Sequence, residues 1–185
     1  MKKIFVLLAV AAIGASFTSP SEGVAASEGR AAAAPAAGAA APATAAAAAA
    51  APARAAVANA PFIEQILENV NQFRADNGKP PLTMNPDMVE TAGIHSQAMA
   101  KGTVAFGHDN FDLRFKYVSA KLGGIDAFAE NVAMGKMDAR QVVDGWAHSP
   151  GHRKNMLGNY NLTGIATATA ADGTIYFTQI FAHKQ

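Results

Sequence analysis

Apolar residues fall at helical spacing along much of residues 61–185. Phe62, Ile63, Ile66, Leu67, Val70 and Phe73 share one face of a helix that Pro61 opens and Asn77-Gly78 closes ahead of Pro80-Pro81. A second helix begins at Asn85-Pro86, with asparagine as cap and proline in the first helical position, and its stripe runs Met88, Ala92, His95, Met99. The third stripe, Phe111, Phe115, Val118 and Leu122, stops at Gly123-Gly124. Asp138 caps a fourth helix with Val142, Val143 and Trp146 on its buried side. Ser149-Pro150 reads as the start of a fifth, Ser capping, with Gly158 just past its end.

Between the third and fourth helices, Phe128 to Met134 is short and apolar around Glu130-Asn131 and reads as a strand or an extended loop. Leu162–Ala170 and Thr174–Ala182 alternate on either side of Asp172-Gly173, a hairpin signal. Ile175, Phe177 and Phe181 point one way in the last run, while Tyr176, Ile180 and Ala182 point the other. Bulky residues on both faces predict a central strand covered on both sides. The expected fold class is α+β: a three-layer α/β/α sandwich with an antiparallel central sheet.

Composition divides the 185 residues in two. Residues 1–60 contain 28 alanines, whereas residues 61–185 contain every His, Trp and Tyr. Lys2 and Lys3 precede the apolar run Ile4–Ile13, and Val24-Ala25-Ala26 supplies small residues before Ser27. Residues 1–26 therefore read as a secretory signal peptide, since the run is shorter than the roughly 20 residues a spanning helix needs. Residues 27–60 read as an Ala/Pro-rich disordered tether, serving either as a spacer or as filler with no specific partner. Residues 61–185 form the domain. The expected location is secreted or periplasmic, with no stable membrane anchor after signal cleavage.

Charge narrows the partners. The whole chain carries +1, but residues 61–185 hold 11 basic and 12 acidic residues without a basic block, so nucleic acid is not an expected partner. Without cysteine, disulfides, thiolate ligands and a Cys nucleophile are excluded.

Three residues stand where regular structure gives way to loops or helix starts: His108, Glu130 and His152. Two imidazoles and a carboxylate could hold a divalent metal such as zinc with a coordination position left for water, or act as general acid and base without metal. As bare spacing, the competing readings are a loop histidine without a task and a Glu130 that caps or pairs with Arg153. His95 reads as a buried histidine with a hydrogen-bond partner rather than a ligand. His148 and His183 read as solvent-facing.

The order Phe-Gly-His108, Ala-Glu130-Asn131-Val-Ala, Trp146-Ala-His-Ser149-Pro-Gly-His152-Arg153-Lys-Asn155-Met-Leu, then Tyr-Phe-Thr-Gln179-Ile-Phe resembles the CAP superfamily. That name covers cysteine-rich secretory proteins, antigen 5 and pathogenesis-related 1 proteins, and the match is to its bacterial SCP-like branch. The resemblance spans essentially all of 61–185. It implies an α-β-α sandwich, an exported protein and a cleft of two histidines and two acidic residues, sometimes occupied by zinc. His108, Glu130 and His152 match three of the four; the second acid's place is taken by Ser149. A serine hydroxyl is a poor metal ligand, so the resemblance supports a His-Glu-His site only.

Asn131, Asn155, Gln179, Trp146 and Ser149 are expected to support the cleft, with Ser149 a helix cap rather than a nucleophile. The expected function is an exported binding module for a small ligand, a lipid or a cell-envelope component, with no cofactor required and zinc as an optional one. The alternative is a metal-assisted or acid/base hydrolase using His108, Glu130 and His152 on a peptide, ester or cell-wall substrate. Oligomeric state is left open.

Overall fold

A computed structural model describes residues 11–15 and 60–185. The expected signal segment, apart from Ala11–Ala15, and the expected tether, apart from Ala60, lie outside the described residues. In chain order the elements are β1 (Ala11–Ala15), α1 (Ala60–Asp76), β2 (Thr83–Met84), α2 (Pro86–Ala100), α3 (Phe111–Leu122), β3 (Ala127–Gly135), α4 (Ala139–His148), α5 (Pro150–Met156), β4 (Leu162–Thr169) and β5 (Ile175–His183).

Local chemistry sets three of the helix ends. Asn85 caps α2 by accepting the Met88 N–H at 3.1 Å, with Pro86 at the first position. Asp138 and Gln141 form a reciprocal capping box on α4. Gly123, left-handed at φ 72°, closes α3.

The strands form one sheet in the order β1-β3-β5-β4-β2. Phe128–Met134 is thus a strand, and β5 lies at the centre as its two-sided pattern requires. On one face Phe177, Phe181, Ala129, Ala133 and Ile165 pack with Ile66 and Val70 of α1, Val143 and Trp146 of α4, and Met156 of α5. On the other, Phe128, Ile180, Ala182 and Ala166 pack with Met88 and Ala92 of α2 and Val118 and Leu122 of α3. The result is the expected three-layer sandwich.

The sheet is mixed, a correction to the antiparallel expectation. β1, β3, β5 and β4 pair antiparallel in turn, but β2 runs parallel to β4. The chain leaves α1 on one face and enters α2 on the other, so it rounds the β4 edge between them, and Asn85 N donates to Thr163 O at 2.8 Å on the way. A parallel pair is formed across a long connection and carries no local turn signal. Helix α2 also lies unusually near β4, because a Cβ on Gly164 would stand 2.2 Å from the carbonyl carbon of Met88. Among the described residues no helix is long and apolar enough to cross a membrane.

Candidate functional site

Side-chain alternation along β3 separates the candidate residues. Glu130 shares the face of Phe128, toward α2 and α3, while Asn131 shares that of Ala129 and Ala133, toward α1, α4 and α5.

Glu130 has no exposed surface, and both of its oxygens are engaged. Arg114 of α3 donates from Nε to Oε2 and from Nη2 to Oε1, each at 2.6 Å. His108, from the loop between α2 and α3, places Nδ1 2.8 Å from Oε1. Burial pushes the Glu130 carboxyl up, but hydrogen bonds from His108 and Arg114 and the Arg114 charge outweigh it, leaving the group below its usual range and ionised. A carboxylate only accepts, so His108 carries its proton on Nδ1, and its buried Nε2 has no hydrogen-bond partner among the described residues. His95 completes the cluster: Nε2 lies 2.8 Å from Gly107 O, and Nδ1 accepts from Arg114 Nη1 at 3.2 Å. Burial lowers the pKa of His95, against the attraction of Glu130 and with the repulsion of Arg114.

Across the sheet a second network ties α5 to β3. Asn155 donates to Glu130 O at 3.2 Å and to Asn131 Oδ1 at 2.9 Å, and Asn131 donates to His152 O at 3.3 Å. Trp146 Nε1 reaches Val132 O at 3.5 Å, fixing α4 over the same strand. Gln179 Nε2 donates to Thr163 Oγ1 at 3.2 Å, and its buried Oε1 has no partner among the described residues. His152 is fully buried with Nδ1 2.9 Å from Ser149 Oγ. Ser149 does occupy the N-cap position of α5, but its hydroxyl makes no cap bond, which corrects the expected role. Three residues on, the imidazole lies on the same helical face and takes the hydroxyl instead.

The structure therefore joins His108 to Glu130 and leaves His152 to a different set of partners. Among the described residues no group of three or more His, Asp or Glu side chains is arranged to hold a metal ion. Glu130 fits one poorly, since a guanidinium already compensates its charge at bonding distance. Arg153 does not pair with Glu130; it donates to Asn77 Oδ1 at 2.9 Å and lies 4.9 Å from the centre of the Phe73 ring. His148 is exposed, while His183 is half-buried, with Nδ1 2.6 Å from Asp126 Oδ1.

Sequence reasoning missed Arg114, whereas His95 is the buried, hydrogen-bonded histidine expected, and only its Arg114 partner was not foreseen. Both carried a signal: Arg114 falls at helical spacing within the stripe of Phe111 and Val118, and His95 within that of Met88 and Met99. A charge on an apolar stripe needs a buried partner, and Glu130 was the buried acid available.

A shallow depression of about 300 Å³, lined by Gly123, Gly124, Ile125, Asp126, Lys184 and Gln185, contains none of these residues. Similarity to known proteins bears on the whole domain instead. The chain is 33% identical over 128 residues to the uncharacterized protein YkwD of Bacillus subtilis (strain 168), covering 65% of this chain and 47% of that one. It is 28% identical over 133 residues to the uncharacterized membrane protein YlbC of the same organism, covering 65% and 34%. It thus spans about half or less of the length of these curated relatives. An extracellular protein containing an SCP domain from Bacillus anthracis superposes with a TM-score of 0.56 at 27% identity, covering 67% of this chain and 41% of that one. An outer surface protein from Borrelia burgdorferi shares the fold, with a TM-score of 0.58 at 16% identity over 69% of this chain and 96% of that one. The model of the cysteine-rich secretory protein family, CAP, matches residues 67–181, and the chain belongs to that family.

Proposed function

We propose that the chain is an exported binding module whose CAP domain takes a small ligand, a lipid or a cell-envelope component, without catalysing a reaction through Glu130. One observation carries this reading: both oxygens of the buried Glu130 are held by Arg114 and His108. A general base needs a lone pair directed at its substrate, and a metal ligand needs one directed at the ion. Glu130 directs neither outward. Ser149 at the place of a second acid adds no carboxylate. Export is supported by the N-terminal pattern of Lys2, Lys3 and Ile4–Ile13 and by the extracellular SCP-domain relative. With net −1 over residues 61–185, nucleic acid is not proposed as a partner.

The hydrolase reading retains one supporting observation. Glu130 fixes the His108 tautomer with the unpartnered Nε2 as acceptor, which is how a carboxylate orients an imidazole base. Arg114 weakens that arrangement, because it neutralises the carboxylate that would stabilise the imidazolium. The test has two arms. Native mass spectrometry of the protein secreted by an expressing cell should show a retained small molecule that His108→Ala loses. Peptide, ester and peptidoglycan screens should show no turnover dependent on the site. Turnover abolished by both Glu130→Gln and His108→Gln would overturn the binding reading.

A further inference from the structure

The outer edge of β3 is covered by a segment that the sequence assigns to another task. Ala11–Ala15 falls within residues 1–26, read as a signal peptide, yet it pairs antiparallel with β3 in the register Ala11↔Val132, Ile13↔Glu130 and Ala15↔Phe128. Removal of residues 1–26 on export would leave the N–H and C=O groups of Phe128–Val132 as an open sheet edge, which templates the addition of a strand. Helix α5 limits what can be added. It packs over β1 more extensively than over β3, so the vacated position stays roofed on that face. A second copy paired edge to edge, β3 against β3, would set two α5 helices over neighbouring strands. Strands lie about 4.8 Å apart, whereas packed helix axes need about 8–10 Å. The slot therefore admits one extended segment and not another whole domain.

Register adds a rule of size. Directly opposed residues share a face of the sheet, and the positions opposite Ala129 and Asn131, which belong to the α5 face, are Gly14 and Ala12. The larger, β-branched Ile13 stands opposite Glu130. We propose that the outer edge of β3 is a peptide-binding site, filled by Ala11–Ala15 in the uncleaved chain and taken after export by one extended peptide of another molecule, with a β-branched residue between two small ones. Main-chain hydrogen bonds to Phe128–Val132 supply the affinity, and the space beneath α5 supplies the selection. Residues 27–60 obey the size rule but supply only Thr44 and Val57 as a β-branched centre. Pro42 denies a strand centred on Thr44 one N–H, and a strand centred on Val57 would run directly into α1 at Ala60. Vacating the edge depends on the export reading of residues 1–26, whereas binding uses the β3 backbone and not the Glu130 carboxylate or His108.

The test uses protein recovered from the medium or periplasm of cells expressing the full chain, its intact mass showing whether residues 1–26 are gone, beside the uncleaved 185-residue chain. The probe is a fluorescein-labelled peptide with the sequence of residues 9–17, followed by anisotropy and by amide resonances. The cleaved form should bind one peptide per chain, with the resonances of 128–132 shifting. The uncleaved chain should bind at least about 10-fold more weakly, because its own strand holds the edge. Gly14→Leu in the peptide should weaken binding by at least about 10-fold, since the larger side chain overfills the space beneath α5. The same substitution in the uncleaved chain should release β1 and restore binding of the unaltered peptide. Absence of saturable binding by the cleaved form overturns the proposal, as does binding indifferent to Gly14→Leu. So does a cleaved monomer whose 128–132 amides are already protected from exchange by residues 27–60, or a dimer through this edge that the peptide leaves intact. Retention of residues 1–26 in the exported protein would sink the cleavage reading instead, and peptide binding by the Gly14→Leu chain would then decide the site.

Discussion

Arg74 of α1 is the most informative residue to remove for stability. Its side chain is fully buried, and all four of its hydrogen bonds go to backbone carbonyls: Pro80 at 2.8 Å, Met156 at 2.6 Å, Gly158 at 3.2 Å and Tyr160 at 3.1 Å. Burial lowers its pKa from the usual guanidinium value. These bonds join α1 to the end of α5 and to the loop that leads into β4. Arg74→Met keeps the apolar stem and deletes every donor, leaving the carbonyls buried. Four bonds at a net of about 1 kcal/mol each, less the recovered cost of desolvating the cation, give about 3 kcal/mol. Against a domain stability of about 5–15 kcal/mol that is a large share. With a urea slope of about 2 kcal/mol/M, the unfolding midpoint should fall by about 1.5 M at unchanged slope. Arg74→Lys keeps the charge but not the fork, and should recover less than half of the loss. Since α5 also carries His152 and Asn155, the amide resonances of 152–158 should shift more than those of α3. A midpoint change under about 0.5 M for Arg74→Met would refute the reasoning, because it would mean the carbonyls find water or one another at little cost.

Gly164→Ala places a Cβ within 2.5 Å of Met88 atoms, backbone included, so α2 must retreat by about 1 Å at a cost of about 2 kcal/mol or more. Urea unfolding and a crystal structure check it, and a neutral variant with α2 unmoved would contradict the packing. Acid should destabilise the fold in two stages. His95 is depressed below 6.5, so its neutral form supports folding at higher pH, and that support is lost as pH falls from 6.5 through the lower folded value. Glu130 is depressed below 4.5, so its ion pair remains until pH falls through a value below that. In urea titrations His95→Gln should flatten the first stage and spare the second; an unchanged first stage would assign it elsewhere. Asp138→Ala removes the capping box of α4 and should cost about 1 kcal/mol, read as a lower Tm with no change in the His108 or His95 resonances.

Local rules already account for most of the sandwich. The stripes of α1 to α4, the Asn85 and Asp138 caps, the Gly123 stop and the turn at Asp172-Gly173 involve neighbours a few residues apart, where spacing and side-chain chemistry decide the outcome. The two-sided pattern of β5 even placed it at the centre, because a strand with Phe177 on one face and Ile180 on the other has to be covered twice. The run 128–134 stayed ambiguous between strand and loop for the opposite reason: it is predominantly apolar, and a run with so little polar alternation gives no period to read. Ser149 shows the limit of local rules. Its position was read correctly and its bond was not, since a backbone N–H and the His152 imidazole were both within reach of one hydroxyl.

What the sequence by itself determined, then, is the five helices from α1 to α5, the hairpin of β4 and β5, the layers and the identity of His108, Glu130 and His152 as residues of interest; it marked no strand at Ala11–Ala15 or Thr83–Met84. Tertiary structure alone decided the parallel pairing of β2 with β4 and the grouping of the site. Glu130 and Asn131 are adjacent in sequence but sit on opposite faces of a sheet, so His108 joins one network and His152 the other. Arg114 reaches Glu130 from 16 residues away only because α3 and β3 bury facing surfaces. Partnerships of buried charge are settled by desolvation, which depends on what the whole fold excludes from water and not on spacing along the chain.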